Sequence, residues 1–249
     1  MELLRRAAHA VTDLLHAENH DPWSNGESAL VSALPQEAPV ILDVGANLGD
    51  WTAMALSCQP GATVHAFEIW DDTRQRLRER FRDDPRVVVP DVGLHDAAGE
   101  LAIKAYDGHS QWTSAYDYPH AAPFHWTTAR VERGDAYLRA QRLDRVDLLK
   151  IDTEGDDLAV LRSFGDALRA GAVGAVQFEY GYAAVYSGAL LARFHELLTP
   201  LDYTIGWLRH DGLDVRSYRV TDERFFGPNY VAVHAGQPLL LARLSVRHS

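Results

Sequence analysis

Short apolar runs rich in β-branched residues alternate along the chain with amphipathic stretches, the pattern of an α/β domain on a mainly parallel sheet. Val40-Ile41-Leu42-Asp43-Val44 is the first predicted strand, and a glycine-containing turn leads into a helix over 49–58 that Gln59-Pro60-Gly61 stops. A second strand covers 63–68, a helix follows over 71–81, and Asp83-Asp84-Pro85 turns the chain into a third strand over 86–89. Two short strands, 92–95 and 100–104, read as a hairpin around Asp96-Ala97-Ala98-Gly99. After a long loop come a helix over 134–141, a fourth main strand over 146–151, a helix from Asp156 and a fifth strand over 172–179. A helix over 190–198 and strands over 203–208 and 229–234 complete the pattern. Residues 1–39 read as a helical extension, and 40–236 as one domain with a lid-like insertion at 106–126. In the tail, 237–249, the apolar run 239–242 with Leu244 is suited to pack on the body or on a second subunit.

Composition narrows the partners. With 249 residues, 47% of them hydrophobic and 24% charged, the chain can bury one substantial core, which argues against disorder. No apolar run approaches the roughly 20 residues of a membrane span, and no signal peptide is visible. The single cysteine, Cys58, excludes an intrachain disulfide and a multi-cysteine zinc site, so a cytoplasmic setting is expected. A net charge of −11 repels a phosphate backbone unless basic residues cluster, and the arginines near 74–80 and 130–145 are interspersed with acids. A nucleic-acid partner is therefore not expected.

In an open parallel sheet, ligands bind beyond the carboxyl ends of the strands, near the point where strand order reverses. The turn Asp43-Val44-Gly45-Ala46-Asn47-Leu48-Gly49-Asp50 lies at such an end, and its glycines allow a close approach of backbone to ligand. It is not the dinucleotide fingerprint, because Asn47 stands where the second glycine would be. Glu68 ends the second strand and can accept two hydrogen bonds from a ribose diol, which points to an adenosine-containing cofactor. The turn favours S-adenosylmethionine, which has no phosphates, over NAD; an NAD-linked oxidoreductase is the rival reading.

These residues resemble the FkbM-type S-adenosylmethionine-dependent methyltransferases. The resemblance rests on Asp43 to Gly49, on Ala66-Phe67-Glu68, and above all on Leu149-Lys150-Ile151-Asp152-Thr153-Glu154-Gly155 followed by Val160-Leu161-Arg162. It continues through Gln177-Phe178-Glu179-Tyr180-Gly181 and Asn229-Tyr230-Val231-Ala232. It implies a Rossmann-like class I methyltransferase fold, with a mainly parallel seven-stranded sheet and helices on both faces. It further implies that Asp43, Gly45, Asn47 and Gly49 lie along the methionine portion of S-adenosylmethionine, that Glu68 holds the ribose, and that Asp91 and Val92 border the adenine. Asn25-Gly26-Glu27 also matches the family, which puts Glu27 over the cofactor.

Methyl transfer to a hydroxyl benefits from a general base, and the best-placed acids are Asp152 and Glu179, at the ends of adjacent predicted strands. A divalent cation is the less favoured reading of that pair, because no third ligand is identifiable, so no metal ligand is assigned. Glu154 reads as bracing its turn, and His95, His109, His120 and His125 are secondary base candidates. The aromatics of 106–126 (Tyr106, Trp112, Tyr116, Tyr118, Phe124 and Trp126) read as an acceptor-binding lid, with a self-packed aromatic flap as the alternative. The expected function is O-methylation of a small natural product or its sugar, with N- or C-methylation as alternatives.

Overall fold

The structure is a computed structural model that describes residues 11, 19–117, 120–226 and 229–245. Its frame is an eight-stranded sheet made of β1 (Val40–Val44), β2 (Thr63–Phe67), β3 (Val87–Val88), β7 (Leu148–Ile151), β8 (Ala175–Glu179), β9 (Tyr203–Arg209), β10 (Gly212–Val215) and β11 (Asn229–His234). The spatial order is β10-β9-β11-β8-β7-β1-β2-β3. The strands from β3 to β8 run parallel, and β11 inserts antiparallel between β8 and β9. This is the doubly wound α/β class that the sequence predicts, with strand order reversing between β1 and β7. The eighth strand is the difference: β10 returns from β9 as an antiparallel neighbour through a short turn at the sheet edge.

Strand periodicity accounts for the two layers. Ile41, Leu148, Ala175, Val231 and Val233 face one core, with α1 (Glu27–Ala33), α2 (Asp50–Cys58) and α9 (Pro238–Leu244). Their neighbours Leu42, Leu149, Val176 and Ala232 face the other, with α5 (Asp157–Arg162), α6 (Gly165–Arg169) and α8 (Leu191–Leu198). Successive side chains in a strand point to opposite faces, so continuous apolar runs serve both cores. The tail helix α9 packs on the body: Leu240 and Leu244 are buried beside α1, whereas Leu239 is exposed. Of the N-terminal extension, 1–10 and 12–18 lie outside the described residues.

The expected hairpin of 92–95 with 100–104 does not form. Instead β4 (Gly93–Leu94) and β5 (Gly99–Tyr106) flank a third strand, β6 (Phe124–Glu132), in a small separate sheet ordered β4-β6-β5. β5 pairs with β6 antiparallel from Gly99↔Val131 to Tyr106↔Phe124, while β4 pairs with it parallel. The start of β6 is masked in the sequence because Phe124, His125 and Trp126 are all exposed and show no alternation; only Ala129 and Val131 turn inward. The insertion at 106–126 is thus the closing end of a long hairpin, not one irregular loop.

Candidate functional site

At the carboxyl ends of the central strands the face towards α1 and α2 turns polar. Two positions past Ile41, Leu148 and Ala175 stand Asp43, Lys150 and Gln177, which are register neighbours in that order. All three are almost fully buried. Lys150 Nζ lies 3.1 Å from Asp43 Oδ1 and 3.4 Å from Asp152 Oδ2, and donates to the Gly45 carbonyl at 3.2 Å. Burial opposes its charge, but the carboxylates of Asp43, Asp152 and Glu27 outweigh that and raise its pKa. Asp43 is also held by the Thr52 hydroxyl, which donates to Oδ2 at 2.6 Å. Its carboxylate therefore anchors Lys150 from below and does not line either cleft described next.

The turn after β1 takes the left-handed conformation at Gly45 (φ 83°), Asn47 (φ 49°) and Gly49 (φ 85°). A Cβ on Gly45 would lie 1.7 Å from the Asp152 carbonyl oxygen, so this glycine lets the ends of β1 and β7 close. A Cβ on Gly49 would meet the Phe81 and Leu77 side chains at 2.4 and 2.7 Å. Gly49 thus seats the turn against α3 (Asp71–Arg80) and its end, and it is not on the cleft wall where the sequence reading put it.

Two clefts open above this turn. The first, with about 750 Å³ of open space, is lined by Gly45, Asn47, Phe67, Glu68, Ile69, Gly93, Leu94, Ile103, Asp152 and Glu154, among others. Glu68 is buried and accepts from the Trp70 amide at 2.8 Å and from the Asn47 amide at 2.9 Å. Burial outweighs these hydrogen bonds and pushes its pKa up to about 7. Each oxygen keeps acceptor capacity for a ligand donor. Neither Asp91 nor Val92 reaches this wall. Asp91 is exposed and pairs with Arg78 at 2.6 Å, Val92 is buried away from the cleft, and Gly93 and Leu94 stand there instead.

The described part of the hairpin end, 107–117 and 120–123, roofs the first cleft through residues 110–115. Ser110, Gln111, Thr113, Ser114 and Ala115 line it; the Ser110 hydroxyl donates to Asn47 Oδ1 at 2.6 Å, and the Ser114 hydroxyl to the Glu154 carbonyl at 2.7 Å. Its aromatics largely satisfy one another. Trp112 is stacked between His109 and His120, at 4.1 and 4.2 Å, with buried Tyr106 edge-on. Tyr118 lies outside the described residues. Those two histidines are thereby engaged, and His95 sits between Asp96 and Asp156. His125 faces Asp107, and none of the four lines a cleft.

The second cleft, with about 760 Å³ of open space, shares Gly45, Asn47 and Asp152 with the first and adds His20, Asn25, Glu27, Trp51, Lys150, Glu179 and Asn229. Glu27 opens α1 but is buried: its carboxylate accepts from Trp51 Nε1 at 2.8 Å, from Asn25 Nδ2 at 2.7 Å and from the Gln177 amide. Burial raises its pKa. Where the clefts meet, Asp152, Glu154 and Glu179 each bring a carboxylate oxygen within 4.8 Å of the others. Burial, then Asp152 and Asp157, pushes Glu154 up to about 8. Burial, then Asp152, Glu154 and Asp157, raises Glu179 well above the usual carboxylate range. The sequence reading missed Lys150 and the convergence of Glu154. The signal for Lys150 was available: in a strand, Lys150 and Asp152 are two apart and share a face. Glu154 had none, because its left-handed φ of 52° aims the side chain only in the folded turn.

Residues 43–205 match the methyltransferase FkbM domain, which is more than half of the chain. The chain belongs to the FkbM methyltransferase family. It is 33% identical over 169 residues to the AMB antimetabolite synthetase AmbE of Pseudomonas aeruginosa, covering 54% of this chain and 8% of that protein. It is 28% identical over 148 residues to the hexuronic acid methyltransferase AglP of Haloferax volcanii, covering 58% and 59%. To the 2-O-methyltransferase NoeI of Sinorhizobium fredii it is 24% identical over 177 residues, covering 66% and 72%. It therefore spans less than two thirds of AmbE and of AglP. Among the described residues, no helix is long and apolar enough to cross a membrane.

Proposed function

We propose that this chain is an S-adenosylmethionine-dependent O-methyltransferase acting on a hydroxyl of a small natural product or its sugar. The observation that carries the reading is the junction of the two clefts at Gly45, Asn47 and Asp152, with Glu68 at one end and an acid group at the other. The residues fit the cofactor. Glu68, fixed by two backbone amides, keeps free acceptor capacity for a ribose diol, and Ile69, Gly93 and Leu94 offer a mostly apolar wall to a flat base. Glu27, Asn47 and the backbone at Gly45 border the side suited to the amino-acid portion. Bound there, the cofactor supplies a methyl group on a cationic sulfonium.

The chain's part is to align the acceptor and take its proton. Asp152 lies at the junction and is half-exposed, with Lys150 3.4 Å from Oδ2, which suits it to receive a hydroxyl proton. Glu154 and Glu179, whose pKa values burial and the neighbouring carboxylates raise, border the same junction and are placed to hydrogen-bond the acceptor. The names of AglP and NoeI, a hexuronic acid methyltransferase and a 2-O-methyltransferase, support a sugar hydroxyl, and AmbE, an antimetabolite synthetase, supports a natural-product setting. Asn47 argues against NAD, since its side chain occupies the turn where a pyrophosphate needs glycine. The acids at the junction repel phosphate, which favours a small-molecule acceptor over nucleic acid.

Calorimetric titration with S-adenosylmethionine tests the reading. The intact chain binds, and Glu68→Ala weakens binding roughly 10- to 100-fold, the value of about 1.5–3 kcal/mol for hydrogen bonds to a charged group. Failure of the intact chain to bind, or equal binding by the variant, overturns it. Against a panel of hydroxylated acceptors, Asp152→Asn lowers turnover far more than cofactor affinity; an active variant removes Asp152 as the base.

A further inference from the structure

The thirteen residues that follow Glu179, 180–192, carry no charge, in a chain that is 24% charged. They are not all buried: Tyr182, Val185, Tyr186 and Leu190 are exposed, the first two by more than half. Tyr182 already has helical dihedrals as the residue before α7 (Ala183–Ser187), so Tyr182, Val185 and Tyr186, at i, i+3 and i+4, share one face. The opposite side, Ala183 and Ala184, is buried on a small cavity lined also by Gly155, Glu179 and Phe194. Both ends of the segment are fixed. Tyr180 and Leu191 are buried, and Glu223 accepts from the Tyr180 hydroxyl and from the Leu191 and Ala192 amides, at 3.1 and 3.0 Å. The exposed rings are thus presented from an anchored segment, which lowers the entropic cost of binding on them. Their place is the acid junction. A Cβ on Gly155, next to Glu154, would lie 3.0 Å from the Tyr116 ring and 3.3 Å from the Ala183 carbonyl oxygen, so the roof, the turn after β7 and the start of α7 meet there. Single exposed apolar residues are ordinary, but four within nine positions beside a cleft mark a binding surface.

We propose that the exposed face of α7, Tyr182, Val185 and Tyr186 with Leu190, seats the apolar body of an amphipathic acceptor whose hydroxyl-bearing end reaches Asp152. The inference rests on the methyltransferase reading above and narrows its acceptor to a molecule with one polar and one apolar end. Polar groups dominate the junction itself, where Asp152, Glu154 and Glu179 converge, so the hydroxyl-bearing end belongs there and the apolar end on the rim. Tyrosine suits such a rim, because its ring offers apolar area and its hydroxyl stays in water. A second copy of the chain is the poorer occupant: a stable dimer needs roughly 20–30 residues a side, and this face is one turn of helix and a leucine. An anionic lipid surface is poorer still, given a net charge of −11 and the acids beside the patch.

The test is titration of the full chain with two glucosides that share a sugar and differ in their apolar part, methyl β-D-glucoside and 4-methylumbelliferyl β-D-glucoside, followed by backbone amide shifts. The aryl glucoside binds about tenfold or more tightly than the methyl glucoside, and its shifts fall within 181–190. In the double variant Tyr182→Ser, Tyr186→Ser, shown folded by circular dichroism, the two affinities come within about twofold. No binding of the aryl glucoside, equal affinities in the unaltered chain, or a preference that survives in the folded variant overturns the inference. If the variant does not fold, the shifts of the unaltered chain decide, and shifts confined to the exposed Phe124 and Trp126 sink the idea. A dimer in sedimentation that the variant dissociates, or pelleting with phosphatidylcholine vesicles that the variant loses, assigns the face to another occupant and also overturns it. A chain that binds S-adenosylmethionine without preferring the aryl glucoside fails this inference alone; one that prefers it but does not bind S-adenosylmethionine fails the functional reading.

Discussion

Glu68 and Lys150 are two buried charges with opposite surroundings, one walling a cleft and the other clamped between carboxylates. Glu68 has its pKa pushed from the ordinary 4.5 up to about 7, so the folded chain holds its proton more tightly than the unfolded chain does. Its contribution to stability therefore declines as pH rises from about 4.5 to about 7, by roughly 3 kcal/mol in total, and is flat above. On the proposed function, ligand affinity runs the other way, because a diol needs the carboxylate as acceptor. Between about pH 6 and pH 8, S-adenosylmethionine affinity rises roughly tenfold more in the native chain than in Glu68→Gln, as isothermal titration at the two pH values will show. Equal pH slopes would separate Glu68 from the ligand. Lys150 is the counterpart that no ligand is needed to explain. Replacing it with Met strands Asp43 at full burial with only the Thr52 hydroxyl, at a cost of about 3–5 kcal/mol in urea denaturation. Adding Asp43→Asn to that variant recovers part of the loss, and a loss below about 1 kcal/mol would show that the pair is not a structural anchor.

The informative elements are the turns and the hairpin rather than the strands. The Gly45 turn closes on Asp152, and the 107–123 hairpin end clasps both strand-end turns, through Ser110 to Asn47 and through Ser114 to the Glu154 backbone. Ser114→Ala removes the second clasp, worth about 0.5–1.5 kcal/mol. Hydrogen exchange over 107–117 accelerates and cofactor affinity falls about 3- to 10-fold; unchanged exchange would mean that the aromatic stack around Trp112 alone holds the roof. The sequence marks this segment as unusual by its aromatics, but it hides two facts. Its second arm is a strand with three exposed residues at its start, and its rings face one another more than the cleft. Periodicity reads burial, and an arm that leaves the body shows little of it.

For the whole molecule, the two cores and the switch between β1 and β7 place every candidate group at one end of the sheet. The tail belongs to that architecture. Leu240→Ala opens the core beside α1 and costs about 2–4 kcal/mol, lowering the thermal midpoint. A negligible change would point to a tail held elsewhere. By itself, the order of apolar runs and strand-end acids determined the parallel sheet, the first turn, Glu68 and the Asp152–Glu179 pair, because strand alternation and positions just after strands are local properties. Only the tertiary structure decided which acids share a space. Asp91 turned out to Arg78, Gly49 packed on α3, and Asp43 went beneath Lys150. Glu154 joined Asp152 and Glu179, by a left-handed turn and by the pairing of β7 with β8. Side-chain direction at a strand end depends on backbone conformation and on neighbours distant in sequence, so chemistry that needs three groups together appears only once the chain has folded.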